Sequence, residues 1–271
     1  MTALLEIEGL VKDFRVGPPL RKSTFHAVKG VSFRIEAGSS YGLVGESGSG
    51  KTTVARMVAQ LNSPTTGAIR FDGQDVTRLN GRALRAYRRD VQMVFQDPYG
   101  ALNPRMSVLE LISEPWEIHG LHSRADRLRR AATLLDQVGL APSALERKPI
   151  EFSGGQRQRI MIARALALEP RLIVADEPVS ALDVSVQAQV LNLMKDLQDE
   201  LGLTYLFISH DLSVVEFLCD RVGVMLRGDL VEEGDCDSIY RSPRTEYTKD
   251  LLRAIPPLPD VVQRDLEEDR A

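Results

Sequence analysis

The sequence predicts an α/β fold with a mostly parallel sheet, and three observations carry that expectation. A glycine-rich stretch, Gly45 to Thr52, lies between a short apolar run, Tyr41 to Val44, and a helix-compatible stretch, Val54 to Ala59. Leu172 to Ala175 and Leu203 to Ile208 are short continuous apolar runs, the pattern of central parallel strands buried on both faces. Between those runs Val186, Val190, Met194, Leu197 and Leu201 trace one face of a helix that ends at Gly202. With 271 residues the chain can bury a large core in one or two domains.

Along the chain, Leu5 and Ile7 and then Val31 to Ile35 are apolar at every second position, as in strands with one buried face. Residues 17–24 between them are polar and carry prolines, which predicts a loop. Gly67 to Gly73 reads as a strand ending in a turn, and Val91 to Phe95 as a buried strand leading into Gln96, Asp97 and Pro98. Residues 99–150 hold no strand pattern. Ser107 and Ser123 stand where helix N-caps would, and Leu128, Ala131, Leu135 and Val138 form one helical stripe closed by Gly139. A helical insertion at roughly 97–160 is therefore expected within a domain spanning 1–255. Arg221 to Leu226 followed by Arg227, Gly228 and Asp229 predicts a strand entering a hairpin. Residues 256–271 are proline-rich and then highly charged, which predicts a flexible tail.

Composition excludes several classes. With 34 basic and 38 acidic residues, net charge −4, there is no global attraction for nucleic acid. The apolar runs fall well short of the roughly 18 to 20 residues of a membrane-spanning helix, and no basic region with a long apolar core opens the chain, so a cytoplasmic protein is expected. Cys219 and Cys236 lack metal-ligand spacing. Two arginine series, Arg82, Arg85, Arg88 and Arg89, and Arg124, Arg127 and Arg130, read as solvated helix faces, and His26, His119 and His122 as structural.

The chemistry concentrates at four places. Gly45, Gly48 and Gly50 permit backbone conformations that let successive amides converge on phosphate at the positive end of a helix. Lys51 would then reach the β/γ-phosphates and the Thr52 hydroxyl would ligand Mg²⁺. Asp176 and Glu177 follow the buried run at 172–175, at the strand edge where ligands bind in such sheets. Asp176 can hold Mg²⁺ and Glu177 can orient or deprotonate a water aimed at the γ-phosphorus. Ser153, Gly154, Gly155 and Gln156 open another helix, giving a second potential anion site. Phe14, just before the polar loop, could stack on adenine, with Phe25 as the alternative ring.

In order, these motifs resemble the nucleotide-binding subunit of an ATP-binding cassette (ABC) transporter. Residues 45–52 resemble its Walker A loop, Gln96 its Q-loop, Phe152 to Gln156 its signature, Leu172 to Glu177 its Walker B strand, Ser180 to Asp183 its D-loop and His210 its switch histidine. Phe152 replaces the usual leucine and remains an apolar anchor. The resemblance implies a P-loop NTPase core with an antiparallel β subdomain and a helical ABC subdomain. It places ATP on Phe14, Gly45, Glu46, Ser47, Gly48, Ser49, Gly50, Lys51, Thr52, Thr53 and Asp176. Ser153, Gly154, Gly155 and Gln156 would close over ATP held by a second, head-to-tail cassette. Thr52, Gln96 and Asp176 would arrange Mg²⁺, Glu177 would act as base, and Gln96 and His210 would complete the catalytic set.

Within the family, Val94 to Met106 and the extension Tyr247 to Pro256 resemble the subgroup serving dipeptide and oligopeptide importers, features shared with nickel and glutathione importers. Such a chain would sit peripherally on the cytoplasmic face of the membrane, on permease subunits fed by an extracytoplasmic substrate-binding protein, paired with a related cassette or a second copy. Two rivals are weaker. A soluble ABC protein of translation or DNA repair would carry two cassettes or a long coiled coil, and a P-loop kinase or GTPase would lack the Ser153 helix start paired with Asp176 and Glu177.

Overall fold

In the computed structural model, residues 3–18 and 23–254 are described. The expectation for 256–271 lies outside the described residues. β1 (Ala3–Val16) and β2 (Ser23–Glu36) form an antiparallel hairpin with Leu5 opposite Ile35 and Ile7 opposite Phe33. Ser23 and Thr24, expected in a loop, instead pair with Val16 and Arg15, because the ladder continues past the apolar part of the hairpin. β4 (Thr66–Phe71) and β5 (Gln74–Asp75) complete an antiparallel sheet ordered β2-β1-β4-β5.

The central sheet joins β3 (Ser40–Val44), β6 (Val91–Val94), β7 (Leu172–Asp176), β8 (Thr204–Ser209), β9 (Arg221–Leu226) and β10 (Asp229–Asp235). Its order is β10-β9-β3-β8-β7-β6, parallel except for the β9–β10 hairpin. Alternate residues of its strands enter two different cores. Leu172, Val174, Leu206 and Ile208 join the antiparallel sheet and helix α1 (Lys51–Val58), whereas Ile173, Ala175, Tyr205 and Phe207 join the helical side. Both faces being covered, the apolar runs have no polar alternation.

The stretch between β6 and β7 is helical as expected. It holds α3 (Pro98–Ala101), α4 (Val108–His119), α5 (Arg124–Gln137) and two short 3₁₀ turns. α6 (Gly154–Leu166) then returns the chain to the sheet. Ser107 and Ser123 cap α4 and α5 through their hydroxyls. In the α5 stripe Ala131, Leu135 and Val138 are buried, but Leu128 is 49% exposed. α7 (Val184–Leu201) behaves similarly: Val190, Met194 and Leu197 are buried while Leu201, at the helix end, is exposed. Beyond the core lie α2 (Gly81–Asp90), with its arginines exposed, α8 (Leu212–Leu218), α9 (Cys236–Arg241) and α10 (Glu246–Arg253). Among the described residues no helix is long and apolar enough to cross a membrane.

Candidate active site

The carboxyl ends of β3, β6, β7 and β8 all point to one edge of the sheet, where ligands bind in such folds. The loop after β3 carries Gly45, Gly48 and Gly50 at φ of 141°, 80° and 108°, and Gly50 caps α1. A Cβ on Gly45 would lie 2.1 Å from the Met225 carbonyl oxygen and one on Gly50 2.4 Å from that of Ala27. These two glycines are thus demanded by the neighbouring protein backbone as well as by their φ values. A Cβ on Gly48 would meet only open space, so its glycine answers to φ alone. The Gly228 amide donates to the Ser49 carbonyl at 2.9 Å, clamping the loop against the β9–β10 turn.

Lys51, 5% exposed, donates from Nζ to the carbonyls of Gly45 at 2.6 Å and Glu46 at 2.9 Å. Burial holds its ammonium below the ordinary lysine value, although Glu177, Asp176 and Glu46 pull it back up. On the next turn of chain, the Thr52 hydroxyl donates to Asp176 Oδ1 at 3.0 Å. Asp176 ends β7 and is also 5% exposed; burial raises its carboxyl above the ordinary aspartate value against the lowering pull of Thr52 and Arg56. Thr53 follows in the first turn of α1, and Glu46 and Ser47 are exposed on the loop.

Glu177 stands at the centre. It is a non-glycine residue at φ 48°, a sparsely populated conformation that clusters at functional sites, held by its amide donating to the Ile208 carbonyl at 2.9 Å. Gln96 Nε2 donates to Glu177 Oε2 at 2.7 Å, and His210 Nδ1 lies 3.0 Å from Glu177 Oε1. The loops after strands β6, β7 and β8 therefore deliver a glutamine, a glutamate and a histidine to one cluster, in which Gln96 hydrogen-bonds Glu177 and His210 stands within ion-pair distance of it. The carboxylate is mostly buried, at 16% side-chain exposure, whereas the histidine side chain is 56% exposed. Nothing in the sequence signals this direct linkage, because the partners are 81 and 33 residues away.

The Ser153 to Gln156 helix start is bonded locally. Ser153 and Gln156 cap each other, the Gln156 amide donating to Ser153 Oγ at 3.3 Å and the Ser153 amide to Gln156 Oε1 at 3.1 Å. Among the described residues no hydrogen bond joins them to the loop at 45–53. A Cβ on Gly155 would meet Val186 Cγ1 at 2.1 Å, so this glycine lets α6 approach α7, a packing reason that the motif alone does not reveal. Phe14 and Phe25, the two candidate rings, sit directly opposite each other across β1 and β2, and Lys12 Nζ lies 5.1 Å above the Phe14 ring.

Comparison with known proteins decides the family. The sequence profile of the family described as ABC transporter matches residues 28–180. The chain belongs to the ABC transporter family. It is similar to an oligopeptide transport ATP-binding protein, OppF, of Bacillus subtilis, at 52% identity over 259 residues, 95% of this chain and 83% of that one. A Brucella ovis protein that carries a peptide import ATP-binding name is 54% identical over 260 residues, 96% of this chain and 81% of that one. Among solved structures, the dimeric ATP-binding cassette MJ0796 bound to ADP and Pi superposes with a TM-score of 0.76 at 31% identity, covering 86% of this chain and 98% of that one. This ABC chain has the nucleotide-binding cassette fold and is an ATPase of the family.

Proposed function

We propose that this ABC ATPase hydrolyses MgATP at the edge formed by residues 45–53, 96, 176, 177 and 210 and thereby drives import of di- and oligopeptides through separate permease subunits. One observation carries the reading: Glu177 is held by Gln96 and His210 next to the Thr52–Asp176 pair. A carboxylate fixed by two neighbours costs little reorganisation when it takes a proton from water, and a positioned base of this kind contributes about 10² to 10⁴-fold in rate.

The residues suit a magnesium nucleotide. Thr52 Oγ1 and Asp176 Oδ1 are hard oxygens 3.0 Å apart, and Gln96, donating through Nε2 to Glu177, keeps its carbonyl oxygen as a further donor. When bound, Mg²⁺ would neutralise charge on the transferring phosphates. Lys51 and the loop amides bind phosphate, Phe14 or Phe25 holds adenine, Glu177 orients and deprotonates water, and His210 senses the γ-phosphate.

Ser153, Gly154, Gly155 and Gln156 act on ATP held by another cassette, either a second copy or a related chain. That Ser153 and Gln156 bond each other and make no hydrogen bond to residues 45–53 among the described residues fits that division of labour, and the dimeric state named for MJ0796 supports it. Residues 1–255 work as one ATPase domain, with the part at about 97–160 facing the permease. The chain would act peripherally at the cytoplasmic face, its cargo delivered by an extracytoplasmic binding protein, with no part for nucleic acid. The names of its relatives favour peptide over nickel or glutathione. Uptake of labelled di- and oligopeptides, nickel and glutathione by a strain lacking this chain is the test. Loss of peptide uptake is expected; loss of nickel uptake with peptide uptake intact would overturn the substrate assignment.

A further inference from the structure

The segment after β10 takes no part in the chemistry described above, yet it touches the phosphate loop. α10 is anchored at its start to the central sheet. Glu232 of β10, only 8% exposed, accepts from the amides of Arg244 at 2.7 Å and Thr245 at 3.0 Å and from the Thr245 hydroxyl at 3.0 Å. Thr245 in turn caps the helix by accepting from the Thr248 amide at 3.1 Å. Tyr247, in the first turn, is packed against the helical-side core and brings its hydroxyl to the Glu46 amide, which donates to it at 3.1 Å.

That amide shares a peptide plane with the Gly45 carbonyl. On its other edge the same plane accepts from Lys51 Nζ at 2.6 Å. Because a trans peptide points its C=O and N–H in opposite directions, Lys51 and Tyr247 hold this plane from its two sides. Gly45 has no Cβ and sits at φ 141°, so its own backbone resists rotation of that plane less than any other residue would. Once Lys51 turns to a phosphate, Tyr247 is the remaining side chain on the plane.

We infer that Tyr247 is a positioning residue for the phosphate loop: its hydroxyl, set by the Glu232-anchored start of α10, fixes the peptide between Gly45 and Glu46 in the orientation that receives nucleotide. The inference rests on the reading of residues 45–53 as the phosphate site.

The test is equilibrium titration of the full chain with a fluorescent ATP analogue, together with steady-state hydrolysis in the assembled transporter. Tyr247→Phe keeps the ring and removes only the acceptor. It should weaken nucleotide affinity and raise KM by about 2- to 10-fold, the worth of one hydrogen bond, with kcat at saturating ATP within about twofold, as for a change in uniform binding. Glu232→Gln should weaken affinity in the wild-type background and have little further effect beside Tyr247→Phe, since both act through one contact. Lys51→Ala is the control for the underlying reading. Wild-type affinity in Tyr247→Phe alongside lost affinity in Lys51→Ala would overturn the role of Tyr247 alone. Full additivity of Glu232→Gln and Tyr247→Phe would overturn it too. Wild-type affinity in Lys51→Ala would remove the phosphate-loop reading and this inference with it.

Discussion

At Asp176 burial and charge are in conflict, and the conflict can be measured. The folded-state pKa is raised above the ordinary aspartate value, so the folded chain binds that proton more tightly than the unfolded chain does. Ionised Asp176 therefore opposes folding at neutral pH, and the cost fades as pH falls through the folded value towards the unfolded one, about 3.9. Asp176→Asn, which can still accept from Thr52, should raise the melting temperature at neutral pH, with the gain shrinking on acidification, while hydrolysis is lost. A lower melting temperature at neutral pH would contradict this account of the carboxylate. The adenine contact is a second question at this scale. Phe14→Ala should raise KM for ATP with kcat nearly unchanged, since stacking of about 1 to 3 kcal/mol is made equally in ground and transition states. If Phe25→Ala shows that pattern and Phe14→Ala does not, the facing ring holds the base.

Among the elements, the α6–α7 contact leaves no room for a methyl group at Gly155. Gly155→Ala puts a carbon into Val186, and overpacking of this kind costs about 1 to 3 kcal/mol. Thermal denaturation should show a fall of several degrees, recovered in large part by Val186→Ala in the same chain; no change in Gly155→Ala would mean that the helices yield freely. Signals carried by neighbouring residues were legible before any coordinates. The apolar run Leu172 to Ala175, the Ser107 and Ser123 caps and the glycines at 45, 48 and 50 each act within a few residues, and each is found where expected. What depended on distant packing was not legible. Leu128 fits the helical period yet faces solvent, Ser23 and Thr24 lack a strand pattern yet pair, and the Val186 contact of Gly155 is hidden behind a motif that already asked for glycine. The same holds for the site. Its members could be named from spacing and resemblance, but the hydrogen bonds from Gln96 to Glu177 and from Glu46 to Tyr247, and the approach of His210 to Glu177, arise only when separate strands and a helix meet.

On the scale of the molecule, one sheet edge gathers Lys51, Thr52, Gln96, Asp176, Glu177 and His210 while Ser153 opens a helix with no hydrogen bond to residues 45–53 among the described residues, and in the proposed reading a facing cassette completes the site. ATP held between the loop of one cassette and the Ser153 helix start of another would join the pair, and its cleavage would part them. Ser153→Arg, which places a bulky cation at that helix start, should abolish nucleotide-dependent pairing on size-exclusion chromatography while leaving ATP binding to the single chain intact; pairing that persists would contradict the head-to-tail arrangement. The central claim, that Glu177 is the base, is tested most directly by ATP hydrolysis in the assembled transporter carrying Glu177→Gln. Bound MgATP should be retained through Lys51, Thr52 and Asp176, turnover should fall by about 10² to 10⁴-fold, and the paired state should accumulate with ATP and not with ADP. Hydrolysis at the wild-type rate would contradict the mechanism at its centre.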